Sequence, residues 1–132
     1  MDKKQQELIM KFQIFEQQIE NLNQQLQAVE EGILEMGSLD IGLNELSGKK
    51  GEKILAPIGR GIFVHATLES EELLVDVGEK NFVKKNIQET REIIKNQIEK
   101  LEKVKEELAN SLKEIDKELT QLMIQAKEEN TD

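Results

Sequence analysis

Residue types that carry covalent or acid–base chemistry are scarce in this 132-residue chain, which has one histidine and no cysteine, tyrosine or tryptophan. A nucleophile needs an adjacent base, and the base needs a group to orient it. His65 sits inside Ile62-Phe-Val-His-Ala-Thr67, among apolar neighbours and without a second histidine or a thiol. It reads as a strand residue facing solvent or an interface. Gly59-Arg60-Gly61 lacks the third glycine and the following helix of a phosphate-binding loop, so it reads as a turn. The acidic pairs Glu106-Glu107 and Glu128-Glu129 have no EF-hand spacing and read as solvated helix faces. Without cysteine there is no disulfide and no zinc–thiolate site. No catalytic residue, metal site or cofactor is expected.

What remains is the chemistry of apolar contact, and it gathers near the two ends of the sequence. Ile9, Met10 and Ile14 accompany Leu8, Phe12 and Phe15, while Met123 and Ile124 accompany Leu119, Leu122 and Ala126. Each group is larger than one helix seam can cover. Such an excess marks an interaction surface, for which flexible methionine suits partners of varied shape. The alternative is that these residues pack on a third helix or a neighbouring chain.

The elements that position these groups follow from periodicity. Leu8, Phe12, Phe15, Ile19, Leu22, Leu26, Val29, Ile33 and Met36 alternate steps of four and three, the a/d pattern of a coiled-coil seam. The next seam position is Asp40, and Gly32, Gly37 and Gly42 cluster nearby. The helix is therefore expected to weaken, kink or end between Met36 and Ser47. Leu39, Ile41, Leu43 and Leu46 suggest a further turn or two packed on something else, and Gly48-Lys-Lys-Gly51 is a loop.

A second heptad run, Ile87, Arg91, Ile94, Ile98, Leu101, Lys105, Leu108, Leu112, Ile115, Leu119, Leu122 and Ala126, follows Asn86-Ile-Gln-Glu89, which has the form of a capping box. Arg91 and Lys105 interrupt its seam, either fixing register or merely extending their charged ends into water. At about 1.5 Å per residue each helix is roughly 60 Å long. Two such helices joined by a compact linker are expected to fold back as an antiparallel coiled coil.

The linker is β in character. Four short strands, near 53–57, 62–68, 73–77 and 81–84, form two successive hairpins separated by turn-forming residues. Pro57 has no N–H to give a ladder, so its strand is an edge or ends there. About thirty residues holding two phenylalanines bury too little surface to be stable alone, which makes pairing with other chains the physical remedy. The whole is one domain of residues 1–132: an N-terminal helix over 1–47, a double β-hairpin region over 48–84 and a C-terminal helix over 86–130. The fold class is α+β.

Composition narrows the partners. Twenty-seven acidic residues against 18 basic ones leave a net charge of −9, which repels phosphate backbones and anionic lipid. Neither nucleic acid nor membrane is an expected partner. The N-terminal Met1-Asp-Lys-Lys-Gln-Gln-Glu7 lacks the apolar core of a signal peptide, and a soluble cytoplasmic protein is expected.

Taken together, heptad helix, double hairpin and heptad helix, with Ala56-Pro-Ile-Gly-Arg-Gly-Ile-Phe-Val-His-Ala66 and Leu74-Val-Asp-Val-Gly78 in the β region, resemble the alpha-class subunit of prefoldin. Two hairpins, where beta-class subunits have one, point to the alpha class. Arg60 departs from the glycine-rich turn common in such subunits. The resemblance implies a hetero-hexamer of two alpha and four beta subunits whose hairpins build an oligomeric β-barrel platform. It implies an ATP-independent co-chaperone that captures non-native polypeptides at coiled-coil tips and passes them to a group II chaperonin. Client capture would fall on Leu8, Ile9, Met10, Phe12, Ile14, Phe15, Leu119, Leu122, Met123 and Ile124. Oligomerisation would fall on Ile54, Ile58, Ile62, Phe63, Val64, Leu74, Val75, Val77, Phe82 and Val83. A coiled-coil scaffold or tether with one dedicated partner protein is the alternative function.

Overall fold

In a computed structural model, which describes residues 2–129, the chain runs α1 (Lys3–Leu46), β1 (Lys53–Gly59), β2 (Ile62–Thr67), β3 (Leu73–Asp76), β4 (Phe82–Lys85) and α2 (Ile87–Glu129). Residues 1 and 130–132, including the last position expected for the second helix, lie outside the described residues. Contacts gather the chain into two compact units. One joins the part of α1 up to Ile33 with α2 from Lys100 onward, and the other spans Leu34–Glu99.

In the first unit the two helix segments are antiparallel. Early α1 residues meet late α2 residues, as in the groove shared by Phe12 and Met123, while Glu30 meets Lys105. The expected seam is realised position by position: Leu8, Phe12, Phe15, Ile19, Leu22, Leu26 and Val29 are all partly buried, and Leu122 is only 7% exposed. Glutamine, glutamate and asparagine fill the positions between them and face water. A narrow stripe of this kind holds two helices with few large side chains. Lys105 does not simply extend into solvent, because its ammonium lies 3.8 Å from the Glu30 carboxylate.

The second unit has its own core. Leu43, Ile87 and Ile94 are buried together, with Met36, Leu46, Ile98 and Leu73 of β3 packed on them. Leu73 is the apolar link between the second hairpin and the helices. α1 passes through Gly32, Gly37 and Gly42 without a break and ends at Leu46, at the far edge of the window in which its weakening was expected. Packing of Leu43 and Leu46 outweighs the propensity cost of the glycines. A Cβ at Gly37 would meet no atom within 4 Å. Gly37→Ala is therefore expected to stabilise the isolated chain by about 0.5–1 kcal/mol, the usual gain from replacing glycine in a helix. Urea denaturation followed by circular dichroism checks this, and a loss of stability would mean that the glycine meets a local requirement.

Both helix starts are capped. The Asp2 carboxylate accepts the Gln5 N–H at 2.9 Å, and the Asn86 side-chain oxygen accepts the Glu89 N–H at 2.7 Å. The latter sets the start of α2 at Ile87, as its sequence signature predicts.

β1 and β2 form one antiparallel two-stranded sheet and β3 and β4 another. Strand bounds differ from expectation by a residue or two. Of the two readings open for Pro57, the edge strand is the one realised: β1 continues to Gly59 through an irregularity between Pro57 and Gly59. Pro57 is on an edge strand, where a missing N–H is tolerated. The first hairpin turns through Arg60 and Gly61 at φ 52° and 77°, and the second through Glu79 and Lys80 at 49° and 63°. Two successive positive φ values match the right-handed twist of a tight hairpin. Arg60, Glu79 and Lys80 accept a backbone region that glycine or asparagine occupies more readily.

Candidate functional site

The first candidate surface lies where early α1 meets late α2. Seam residues Leu8, Phe12, Phe15 and Leu119 are partly buried and Leu122 is buried, so these five hold the helices together. Ile9, Met10, Ile14, Met123 and Ile124 remain 41–61% exposed. A groove of about 580 Å³ runs between the helices, lined by Phe12, Thr120, Met123, Ile124, Ala126 and Lys127. A second, of about 300 Å³, is lined by Lys11, Phe15, Glu118, Gln121, Leu122 and Gln125. The two grooves bring Phe12 together with Met123 and Ile124, and Phe15 together with Leu122, while Ile9, Met10 and Ile14 stand exposed on α1. The arrangement can bind apolar side chains.

The second candidate surface is the hairpin pair. Of the ten predicted assembly residues, Ile58, Ile62, Phe63, Val64, Leu74, Val77, Phe82 and Val83 are 41–70% exposed, whereas Ile54 and Val75 are partly buried. Leu55, at 59% exposure, belongs to the same surface and was not among the residues named from the sequence. Each sheet has only two strands, so every strand here is an edge with unpaired backbone groups. An apolar, two-edged hairpin is the form of surface that another β element covers.

The third feature is polar. Arg91, a seam position of α2, donates from Nε to Asp40 Oδ1 at 2.9 Å and from Nη2 to Asp40 Oδ2 at 3.3 Å. Its Nη1 donates to Asn44 Oδ1 at 2.9 Å. This bidentate fork joins a polar interruption of one seam to one of the other, and the side chains of Arg91 and Asp40 are only 21% and 19% exposed. The hydrogen bond from Arg91 holds the Asp40 carboxyl below its ordinary value, against an opposing push from lost solvation, with the charges of Arg91 and Lys95 adding to the lowering. Of the two readings open for Arg91, the register-fixing contact is the one realised. The signal was legible: Asp40 and Arg91 are the seam breaks nearest the hairpins on either side.

His65 is exposed on β2, opposite Leu55 in the ladder. The shallow depression around it is lined by Lys53, Ala66 and Thr67. Gly59-Arg60-Gly61 is a hairpin turn. Among the described residues no cluster of three or more histidine, cysteine, aspartate or glutamate side chains could hold a metal ion, and no helix is long and apolar enough to cross a membrane.

This architecture has known counterparts. The sequence profile described as "Prefoldin subunit" matches residues 15–132. The chain belongs to the prefoldin family. The prefoldin subunit alpha of Methanobrevibacter smithii is 27% identical over 123 residues, covering 92% of this chain and 84% of that protein. The prefoldin subunit alpha of Methanosarcina barkeri is 31% identical over 111 residues, covering 80% of this chain and 76% of that protein. A cryo-electron microscopy structure of filamentous PFD from Methanocaldococcus jannaschii superposes with a TM-score of 0.75 at 21% identity, over 85% of this chain and 94% of that one. The two long helices with two antiparallel hairpins between them are therefore a prefoldin fold. The alpha-class resemblance drawn from the two-hairpin layout agrees with the names of these relatives. As a member of this family the chain is a chaperone subunit of a prefoldin complex.

Proposed function

We propose that this chain is the alpha-class subunit of a cytoplasmic prefoldin hexamer, two alpha with four beta subunits, and that it captures non-native polypeptides without ATP for transfer to a group II chaperonin. The observation that carries the capture role is the apolar groove lined by Phe12, Met123 and Ile124, with Ile9, Met10 and Ile14 also exposed nearby on α1. Unfolded chains expose scattered apolar side chains of varied size. A surface exposing two methionines and three isoleucines meets them by many weak, interchangeable contacts. Leu122, by contrast, serves the seam that keeps this surface in place.

The hairpins supply assembly in this reading. Their exposed apolar side chains and unpaired strand edges are covered by the hairpins of neighbouring subunits in a shared β-barrel, with Ile58, Phe63, Leu74 and Phe82 as the largest contacts.

The test is a complex in which Met10, Ile14, Met123 and Ile124 of this chain are all replaced by serine. These side chains lie off the seam, so helix content and assembly are expected to persist. Suppression of the aggregation of a denatured client by the complex is expected to fall markedly, with single replacements giving partial, roughly additive losses. Unchanged suppression by the fourfold variant would refute the tip as the capture site. Complete loss from one replacement would point instead to a tether with one dedicated partner.

A further inference from the structure

Leu34 and Ile41, seven residues apart on α1 within the second unit, are 72% and 63% exposed. Helical spacing puts both on the face opposite the seam residues Met36, Asp40 and Leu43. Gly37 and Ser38 lie between them on that same face, so the strip is a shallow notch bounded by two aliphatic side chains. Neither Leu34 nor Ile41 belongs to the seam, the hairpins or the groove at the other end of α1. Earlier in α1 the corresponding outward positions carry Asn23, Gln27, Glu30 and Glu31, as a solvated face should. Leu39, at 53% exposure, flanks the seam one residue beyond the notch. The sequence pattern that called for Leu39 and Ile41 to pack on something is thus not satisfied within this chain.

Charge says what covers the strip. From Phe12 to Ser47 the chain contains seven carboxylates, Glu16, Glu20, Glu30, Glu31, Glu35, Asp40 and Glu45, and no lysine or arginine. Glu35 and Glu45 are exposed, and helical spacing sets both beside the strip on the same side. A second copy of α1 laid here would oppose carboxylate to carboxylate, which is unfavourable. Size says the rest. Two aliphatic side chains offer at most a few hundred square ångströms, well short of the roughly 1,000 Å² of an independent specific interface. A strip of this size suits only a partner already held by a larger contact.

We propose that the Leu34–Ile41 face of α1 packs against a neighbouring, different subunit of the prefoldin complex, at a surface where apolar residues are flanked by lysine or arginine. This rests on the assembly reading above, in which the hairpins make the larger contact. The α1 strip extends that contact and adds selectivity, because its acidic border favours a basic neighbour over another copy of this chain.

The experiment compares complexes made with the wild-type chain, with Leu34→Gln plus Ile41→Gln, with Glu35→Lys, and with Phe63→Ser plus Phe82→Ser as a hairpin control. Dissociation on dilution is followed by native mass spectrometry at low and high salt. The double Gln variant is expected to leave the helix content of the isolated chain unchanged and to weaken the complex roughly tenfold, the usual effect of losing a few well-covered contacts. Glu35→Lys is expected to weaken it at low salt, with the difference shrinking as salt is raised. A complex unaffected by the double Gln change, while the hairpin control dissociates, would overturn the proposal and leave the assembly reading intact. A hairpin control that leaves the complex whole would overturn the assembly reading and the proposal with it. Loss of client protection from an intact complex would overturn it by making the strip a client contact. Self-association of the isolated chain that the double Gln change abolishes would overturn it in favour of a second copy.

Discussion

Ile94→Ala is expected to destabilise the isolated chain by about 3 kcal/mol, within the range found when a buried isoleucine is cut to alanine. Ile94 is 5% exposed and sits with Leu43 and Ile87 at the centre of the second unit. Its environment is built from α1, α2 and Leu73 of β3. Removing three carbons there leaves a space that neither helix can close without disturbing the other or the hairpin. The thermal midpoint, measured at a fixed protein concentration, is expected to fall by on the order of 10 °C. Ile41→Ala is the matched control: the same side chain is lost from a position 63% exposed, and the isolated chain should change by less than about 0.5 kcal/mol. Equal effects from the two substitutions would show that the second unit lacks the core described above.

The second large effect concerns the polar fork. Replacing Asp40 with leucine leaves the Arg91 guanidinium in a partly covered seam with only Asn44 to accept from it, and an uncompensated charge in such a place is costly. Replacing both Asp40 and Arg91 with leucine restores an apolar seam. The single variant is therefore expected to melt below both the wild type and the double variant. Melting of the double variant at or below the single would remove the charge-pairing explanation. The same fork gives a pH dependence whose sign follows from the depressed pKa of Asp40. A carboxylate with a lowered folded-state pKa stabilises fully above its unfolded value, about 3.9. That stabilisation is lost as pH falls through the lower folded value. The thermal advantage of the wild type over Asp40→Asn should thus be constant near neutrality and narrow in acid below about pH 4. Arg91 stays charged throughout and contributes no slope of its own.

The tip and the hairpins differ in how much of them was legible beforehand. Leu8, Phe12 and Phe15, like Leu119 and Leu122, obey a heptad period that states which side of the helix they occupy. Ile9, Met10, Ile14, Met123 and Ile124 break that period, which is why they could be picked out as surplus. The split between a supporting seam and an exposed set still needed coordinates, since exposure depends on the opposing helix. In the hairpins, β alternation and turn residues separated strands from turns but did not single out Leu55. A two-stranded sheet with no partner has no inner face to make the alternation meaningful.

Period, turn chemistry and capping residues are local, so the sequence by itself determined the two heptad helices, the four strands, the start of α2 at Ile87 and membership of a recognisable architecture. Each depends on neighbours within about one helical turn or one hairpin. Tertiary structure alone decided which polar seam residues pair, that α1 runs unbroken through three glycines to Leu46, and that Leu34 and Ile41 stand uncovered while Leu43 is buried. These outcomes are set by contacts between residues some fifty positions apart in the chain, such as Arg91 with Asp40. Burial of Leu43 against Ile87 and Ile94 outweighs the local cost of Gly37 and Gly42, and no count of propensities along one helix contains that term.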